Sequence, residues 1–207
     1  EKCENGMSKS KYACISAKAL AMRARKIDDE DFHQLIKAKD LKDVFLYLRD
    51  NTYYGEFLKS LNIEDLHRTE FEAHLNDLKV QETEKLMHYL SGEDKNYFKI
   101  FLIRLEVEAV RILIRGIARN DDLETLRELI IYSHQYTTVP FEKLFRARDW
   151  EEFKRSLMDT DYYRILEIYK DIKVDQDLVM VEKTLDRYYH DLVKNRLFKL
   201  DEKANRN

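Results

Sequence analysis

Apolar residues recur at intervals of three and four along most of this chain, a spacing that predicts a succession of helices. Alanine, leucine and isoleucine keep that rhythm from Tyr12 to Ile27, and "DDED" at 28–31 supplies capping aspartates before a second apolar set at Phe32, Leu35 and Ile36. Asp40 precedes Leu41, Val44, Phe45 and Leu48, and Asp50-Asn51-Thr52 punctuates the chain before Tyr53, Tyr54, Phe57 and Leu58. Leu66 to Leu90 predicts one or two longer helices, Ser91-Gly92-Glu93-Asp94 a turn, and Tyr97 to Ile117 one long, strongly apolar helix. Asn120-Asp121-Asp122 ends that helix and caps the next element. Leu123 to Tyr136 reads as a further helix, and "TTVP" opens another, with Pro140 where a first turn tolerates it.

The pattern then repeats itself. With Phe32 laid on Phe141, an offset of 109, Leu35 falls on Leu144, Ala38 on Ala147, Asp40 on Asp149, Leu48 on Leu157, Asp50 on Asp159 and Tyr53-Tyr54 on Tyr162-Tyr163, eight identities in 23 positions. Further on, "FEAHL" at Phe71 is answered by "VEKTL" at Val181, one residue out of register. A period this long exceeds the ~20–50 residues of solenoid repeats and points to duplicated helical lobes. The expected division is 11–119 for the first lobe and 120–207 for the second. On that offset the counterpart of the Tyr97–Ile117 helix would begin near residue 206, so the second lobe is expected to lack its last long helix, as in a piece of a longer protein.

Composition agrees with an all-α class: 44% hydrophobic and 37% charged residues, with four glycines and one proline, suit neither disorder nor a fold built on tight β-turns. Acidic and basic residues, 40 against 37, are interspersed, which provides no field for nucleic acid. Cys3 and Cys14 are too few for a disulfide framework, fit a reducing compartment and leave Cys14 the role of a small packing residue. The most apolar stretch, "YFKIFLIRLEVEAVRILIRGIA", is broken by Lys99, Arg104, Glu106, Glu108, Arg111 and Arg115, so no direct membrane span is expected. The N-terminus shows no apolar run of a secretory signal, and a cytoplasmic location is expected.

The stretch "KYACISAKALAMRARKIDDEDFHQLIKAKDLKDVFLYLRDNTYYGEF", with the later "ILIRGIAR" and "VEKTLDRYYHDLVK", resembles the C subunit of the archaeal and bacterial V-type (A-type) rotary ATPases, the counterpart of the d subunit of the eukaryotic vacuolar ATPase. The resemblance implies three similar helical lobes arranged as a funnel, of which this chain would supply the first and most of the second. It also implies a non-catalytic central-stalk adaptor in ion transport and ATP synthesis. Its implied partners are the central shaft subunits and the membrane proteolipid ring, with peripheral association to the membrane through the complex and no cofactor.

A search for chemistry leaves little else. No phosphate-cradling glycine loop is present. Glu30-x-x-His33 and Glu64-x-x-His67 have the spacing that di-iron helical bundles use, but the bridging glutamates are not evident, and a di-metal carboxylate enzyme is the lesser alternative, beside a generic helical scaffold. His74 and His88 read as surface or packing histidines, and no catalytic triad can be singled out. The doublets Tyr53-Tyr54, Tyr162-Tyr163 and Tyr188-Tyr189 have the look of stacking platforms for bases, but lobe packing explains them better, with one ring inward and a neighbouring hydroxyl on a polar partner or water, above all for the first two. Arg104, Glu108, Arg111 and Arg115 lie four, three and four apart, one charged stripe on an otherwise apolar helix. The stripe is either a solvated face with its own ion pairs or, given the resemblance, the surface that meets the shaft or a neighbouring lobe.

Overall fold

The computed structural model describes residues 12–64, 66–169 and 177–204, with side chains through 199. It is all-α, with no strand among the described residues. The chain divides into two compact units, Glu1–Leu90 and Ser91–Asn207. The lobes expected from the sequence, 11–119 and 120–207, keep the long apolar helix with the first, whereas in the structure it packs within the second unit.

Unit 1 contains α1 (Ala13–Arg23), α2 (Asp29–Ile36), α3 (Leu41–Asn51), α4 (Gly55–Leu58) and α5 (Arg68–Met87). The aspartates act as their positions suggest. Asp28 accepts from the Asp31 N–H at 3.0 Å while Asp31 accepts from the Asp28 N–H at 3.0 Å, a reciprocal capping box. Asp40 caps α3 by accepting from the Asp43 N–H at 2.9 Å. A core cluster forms around Phe45, Leu48, Leu58 and Phe71, with the Phe45 and Phe71 rings edge to face at 5.9 Å.

Unit 2 begins with α6 (Gly92–Arg119), followed by a 3-10 helix (Leu123–Leu129), α7 (Phe141–Leu144), α8 (Trp150–Ser156), α9 (Asp161–Leu166) and α10 (Asp177–Ala204). The expected turn at Ser91–Asp94 is instead the start of α6, with Ser91 at its N-cap. Asn120 closes the helix in the left-handed region at φ 58°, where asparagine is tolerated better than most residues.

The expected α-helix from Leu123 to Tyr136 is corrected to the short 3-10 helix and an irregular segment. The reason is tertiary. A Cβ at Gly116 of α6 would lie 2.6 Å from Leu126 Cδ1 and 2.7 Å from Leu123 Cδ2, so the 3-10 helix packs onto a helix surface that has no side chain there. Beyond it Ile130, Tyr132 and Val139 are all buried, and the Tyr132 ring stacks on Phe141 at 3.9 Å, contacts that one face of a continuous helix would not supply.

Positions aligned at the offset of 109 make like hydrogen bonds. Asp149 caps α8 by accepting from the Glu152 N–H at 2.8 Å, as Asp40 does from Asp43. The reciprocal bonds match too: Asp43 accepts from the Lys39 N–H at 3.1 Å, and Glu152 from the Arg148 N–H at 3.0 Å. Burial differs between partners, since Phe32 is 51% exposed and Phe141 2%.

Candidate functional site

The charged stripe lies on α6 and is engaged by α10, antiparallel to it. Arg115 donates to Glu182 at 2.6 Å, Arg111 to Asp186, and the Arg104 guanidinium stands 5.2 Å from the Tyr189 ring centre. Glu108 links the row, 2.9 Å from Arg104 and 3.5 Å from Arg111. Glu182, Asp186 and Tyr189 are four and three apart, so one face of α10 meets the stripe. The four residues are brought together but are not equivalent: the Arg111 side chain is 12% exposed, while those of Arg104 and Arg115 are 43% and 44% exposed. Glu182 keeps Arg115 firmly in its charged form, its hydrogen bond outweighing burial.

Sequence reasoning passed over a second polar feature of α6. Glu106 is buried and accepts from the Thr137 hydroxyl at 2.6 Å and from the Tyr162 hydroxyl at 2.9 Å. Burial pushes its carboxyl above the usual carboxylate range, opposed by those bonds and by the Thr138 backbone. Burial and then the Glu106 charge drive the Tyr162 hydroxyl upward. Tyr188 crosses Tyr162 edge to face at 5.5 Å, and its hydroxyl donates to Asp161 at 3.3 Å. The available signal was a single carboxylate on the Leu102, Ala109, Val110, Leu113 face, where a lone charge demands a partner.

The lesser candidates do not converge. Glu30 and His33 are exposed on α2, where Glu30 accepts from Gln34 at 2.9 Å. Glu64 and His67 precede α5 rather than sharing a helix face, which removes the geometric premise of the di-metal alternative. Among the described residues no group of three or more His, Cys, Asp or Glu side chains is disposed to hold a metal ion. His74 meets the Glu70 carbonyl at 3.1 Å, and His88 is exposed. Tyr162 is buried and Tyr163 packs against the core of unit 2, whereas Tyr53 and Tyr54 are half-buried. Cys14, read from the sequence as a small packing residue, is disulfide-bonded; Cys3 lies outside the described residues. Among the described residues no helix is long and apolar enough to cross a membrane.

Unit 1 has one further feature, a groove of about 810 Å³ between the end of α1 and the face of α5. Met22 and Ile27 line one wall, Glu72, Leu75, Asn76 and Lys79 the other, and Leu48 and the Tyr53-Tyr54 pair are also at its surface. The Tyr53 hydroxyl donates to Glu82 at 3.3 Å, and the Arg25 guanidinium lies 5.1 Å from the Tyr53 ring centre.

Comparison with known proteins places these features in a family. The model of the ATP synthase (C/AC39) subunit family matches residues 15–206. The C subunit of the A-type ATP synthase of Methanosarcina acetivorans is 23% identical over 181 residues, covering 87% of this chain and 49% of that protein. That of Methanocaldococcus jannaschii is 24% identical over 180 residues, covering 86% and 45%. That of Pyrococcus furiosus is 24% identical over 166 residues, covering 78% and 44%. The chain thus spans about half the length of the curated relatives it matches. With the family match running through both units, the chain belongs to the ATP synthase (C/AC39) subunit family.

Proposed function

We propose that this chain acts as a non-catalytic central-stalk adaptor of a V-type (A-type) rotary ATPase, linking the rotating shaft to the membrane proteolipid ring. The observation that carries the reading is the family match over residues 15–206. An adaptor of this kind transmits torque, which calls for stiff packed helices and wide surfaces rather than reactive groups. The α6–α10 seam of unit 2 has that character, with ion pairs along its margin and a continuous apolar core behind it. The chain associates with the membrane peripherally through the complex, on the cytoplasmic side.

Within this reading the exposed margin of the stripe, beside its contacts with α10, is the surface offered to a partner. Its half-exposed members, Arg104, Glu108 and Arg115, present the charges, and Arg111 fixes the helix beneath them. The lobes remain 11–119 and 120–207, two copies of one repeat within a three-lobed funnel.

The test immobilises the chain and passes over it soluble lysate and detergent-solubilised membranes from the source cells, with identification by mass spectrometry after a moderate-salt wash. Retention of shaft and ring subunits is the expected result. Retention of neither removes the adaptor role and leaves a helical scaffold.

A further inference from the structure

The groove of unit 1 has a filled counterpart in unit 2. Displaced by 110 residues, Glu72, Leu75, Asn76 and Lys79 of α5 correspond to Glu182, Leu185, Asp186 and Tyr189 of α10. Glu182, Asp186 and Tyr189 are the α10 side chains that meet Arg115, Arg111 and Arg104 of α6, and Leu185 is fully buried in the same core. Displaced by 109, Met22 and Ile27 on the opposite wall correspond to Ile131 and Tyr136. In unit 2 the Tyr136 ring lies 5.4 Å from the Lys95 and 5.6 Å from the Lys99 ammonium of α6. Helix α6 therefore fills, in unit 2, the space whose equivalent in unit 1 is open. The unequal burial of repeat partners has the same origin, since Leu144 is fully buried while its partner Leu35 is only half-buried at the groove.

We infer that the groove between α1 and α5 is the seat of an amphipathic α-helix of the α6 type, supplied by a further repeat of the same protein. The helix runs antiparallel to α5, as α6 does to α10, with a basic side chain facing Glu72 and a non-basic one facing Lys79. Lys79 stands where Tyr189 accepts Arg104, so charge complementarity excludes an arginine at that level. The source is set by order and length. Helix α6 comes after unit 1 in the chain yet packs within unit 2, so the last helix of one repeat completes the next one. The curated relatives extend to about twice the matched span, room for a further unit. A second copy of this chain is disfavoured because its α6 is already buried against α10. The inference rests on reading 11–119 and 120–207 as copies of one repeat, and is independent of the adaptor role.

The test titrates the full chain into a fluorescently labelled peptide of Ile100–Arg119 carrying Arg104→Glu, followed by anisotropy. Saturable one-to-one binding is expected, weakened at least tenfold by Glu72→Arg, which also gives up the exposed Arg68–Glu72 pair of α5. Glu72→Gln gives up the same pair without adding a positive charge and should weaken binding less, with thermal unfolding of both variants checked against the wild type. A peptide that also carries Arg115→Glu should recover affinity for the Glu72→Arg chain. Absence of saturation, equal binding of a scrambled peptide, or indifference to Glu72→Arg would each overturn the inference. So would loss of binding caused by Glu182→Arg instead, since the peptide would then have displaced α6 in unit 2. Concentration-dependent dimerisation of the chain, abolished by Glu72→Arg in sedimentation, would assign the groove to a second copy and overturn it as well. None of these outcomes bears on capture of shaft and ring subunits, so the two readings fail separately.

Discussion

Glu106 and Tyr162 define the chemistry of the unit 2 core at the scale of single residues. Replacing Tyr162 with Phe removes a buried donor to a carboxylate and should cost about 1.5–3 kcal/mol in urea unfolding. The pH dependence has a definite sign. Because the folded pKa of Glu106 is raised above its ordinary value of 4.5, the folded state holds the proton more tightly than the unfolded chain. The stabilisation is complete below pH 4.5 and is lost as pH rises through the folded pKa. Glu106→Gln should therefore gain on the wild type as pH increases from 4.5 towards neutrality, compared by urea midpoints. A gap moving the other way would place the carboxylate in a charge-stabilising site. Arg111 and Arg104 separate in the same assay. Arg111→Glu sets a negative charge against Asp186 and Glu108 beside the core and should cost about 1–3 kcal/mol. Arg104→Glu, at the exposed end of the stripe, should change stability by less than about 1 kcal/mol.

Helix boundaries were legible where the determinant was local. The capping aspartates read at 28–31 include Asp28, which makes the bond expected because capping is decided within four residues; Asp40 and Asp149, aligned in the sequence, cap α3 and α8 in the same way. The 3-10 helix at Leu123–Leu129 was not legible, since it depends on Gly116 leaving space on α6. The same limit applies to the stripe: its spacing is local, but its partners Glu182 and Asp186 are 67 and 75 residues away in sequence. The walls of the groove, Met22 and Ile27 against Glu72, Leu75, Asn76 and Lys79, are likewise distant in sequence and meet only in the folded unit. The Gly55 junction between α3 and α4 offers a test at this scale. A Cβ there would lie 2.0 Å from the Arg49 carbonyl oxygen, a backbone atom, so Gly55→Ala must move the main chain. A loss of about 1–3 kcal/mol is expected, read as a fall in melting temperature of roughly 2–4 °C per kcal/mol. An unchanged melting temperature would mean that the junction relaxes freely.

For the whole molecule, the two helical units share local pattern but differ in how their long helices are covered. Unit 2 has a long helix, α6, buried along most of its length, and unit 1 has an open groove at the matching place. On the inference drawn above, repeats that complete one another in sequence order would gain rigidity from every join, which suits the torque-bearing role proposed. On this view the chain works by connecting bodies that do not otherwise hold each other. The most direct measurement immobilises purified proteolipid ring and asks whether purified shaft is retained with and without this chain. Retention of shaft only when the chain is present is the predicted result. Shaft retention that is the same with and without the chain, or absent in both cases, would contradict the adaptor role.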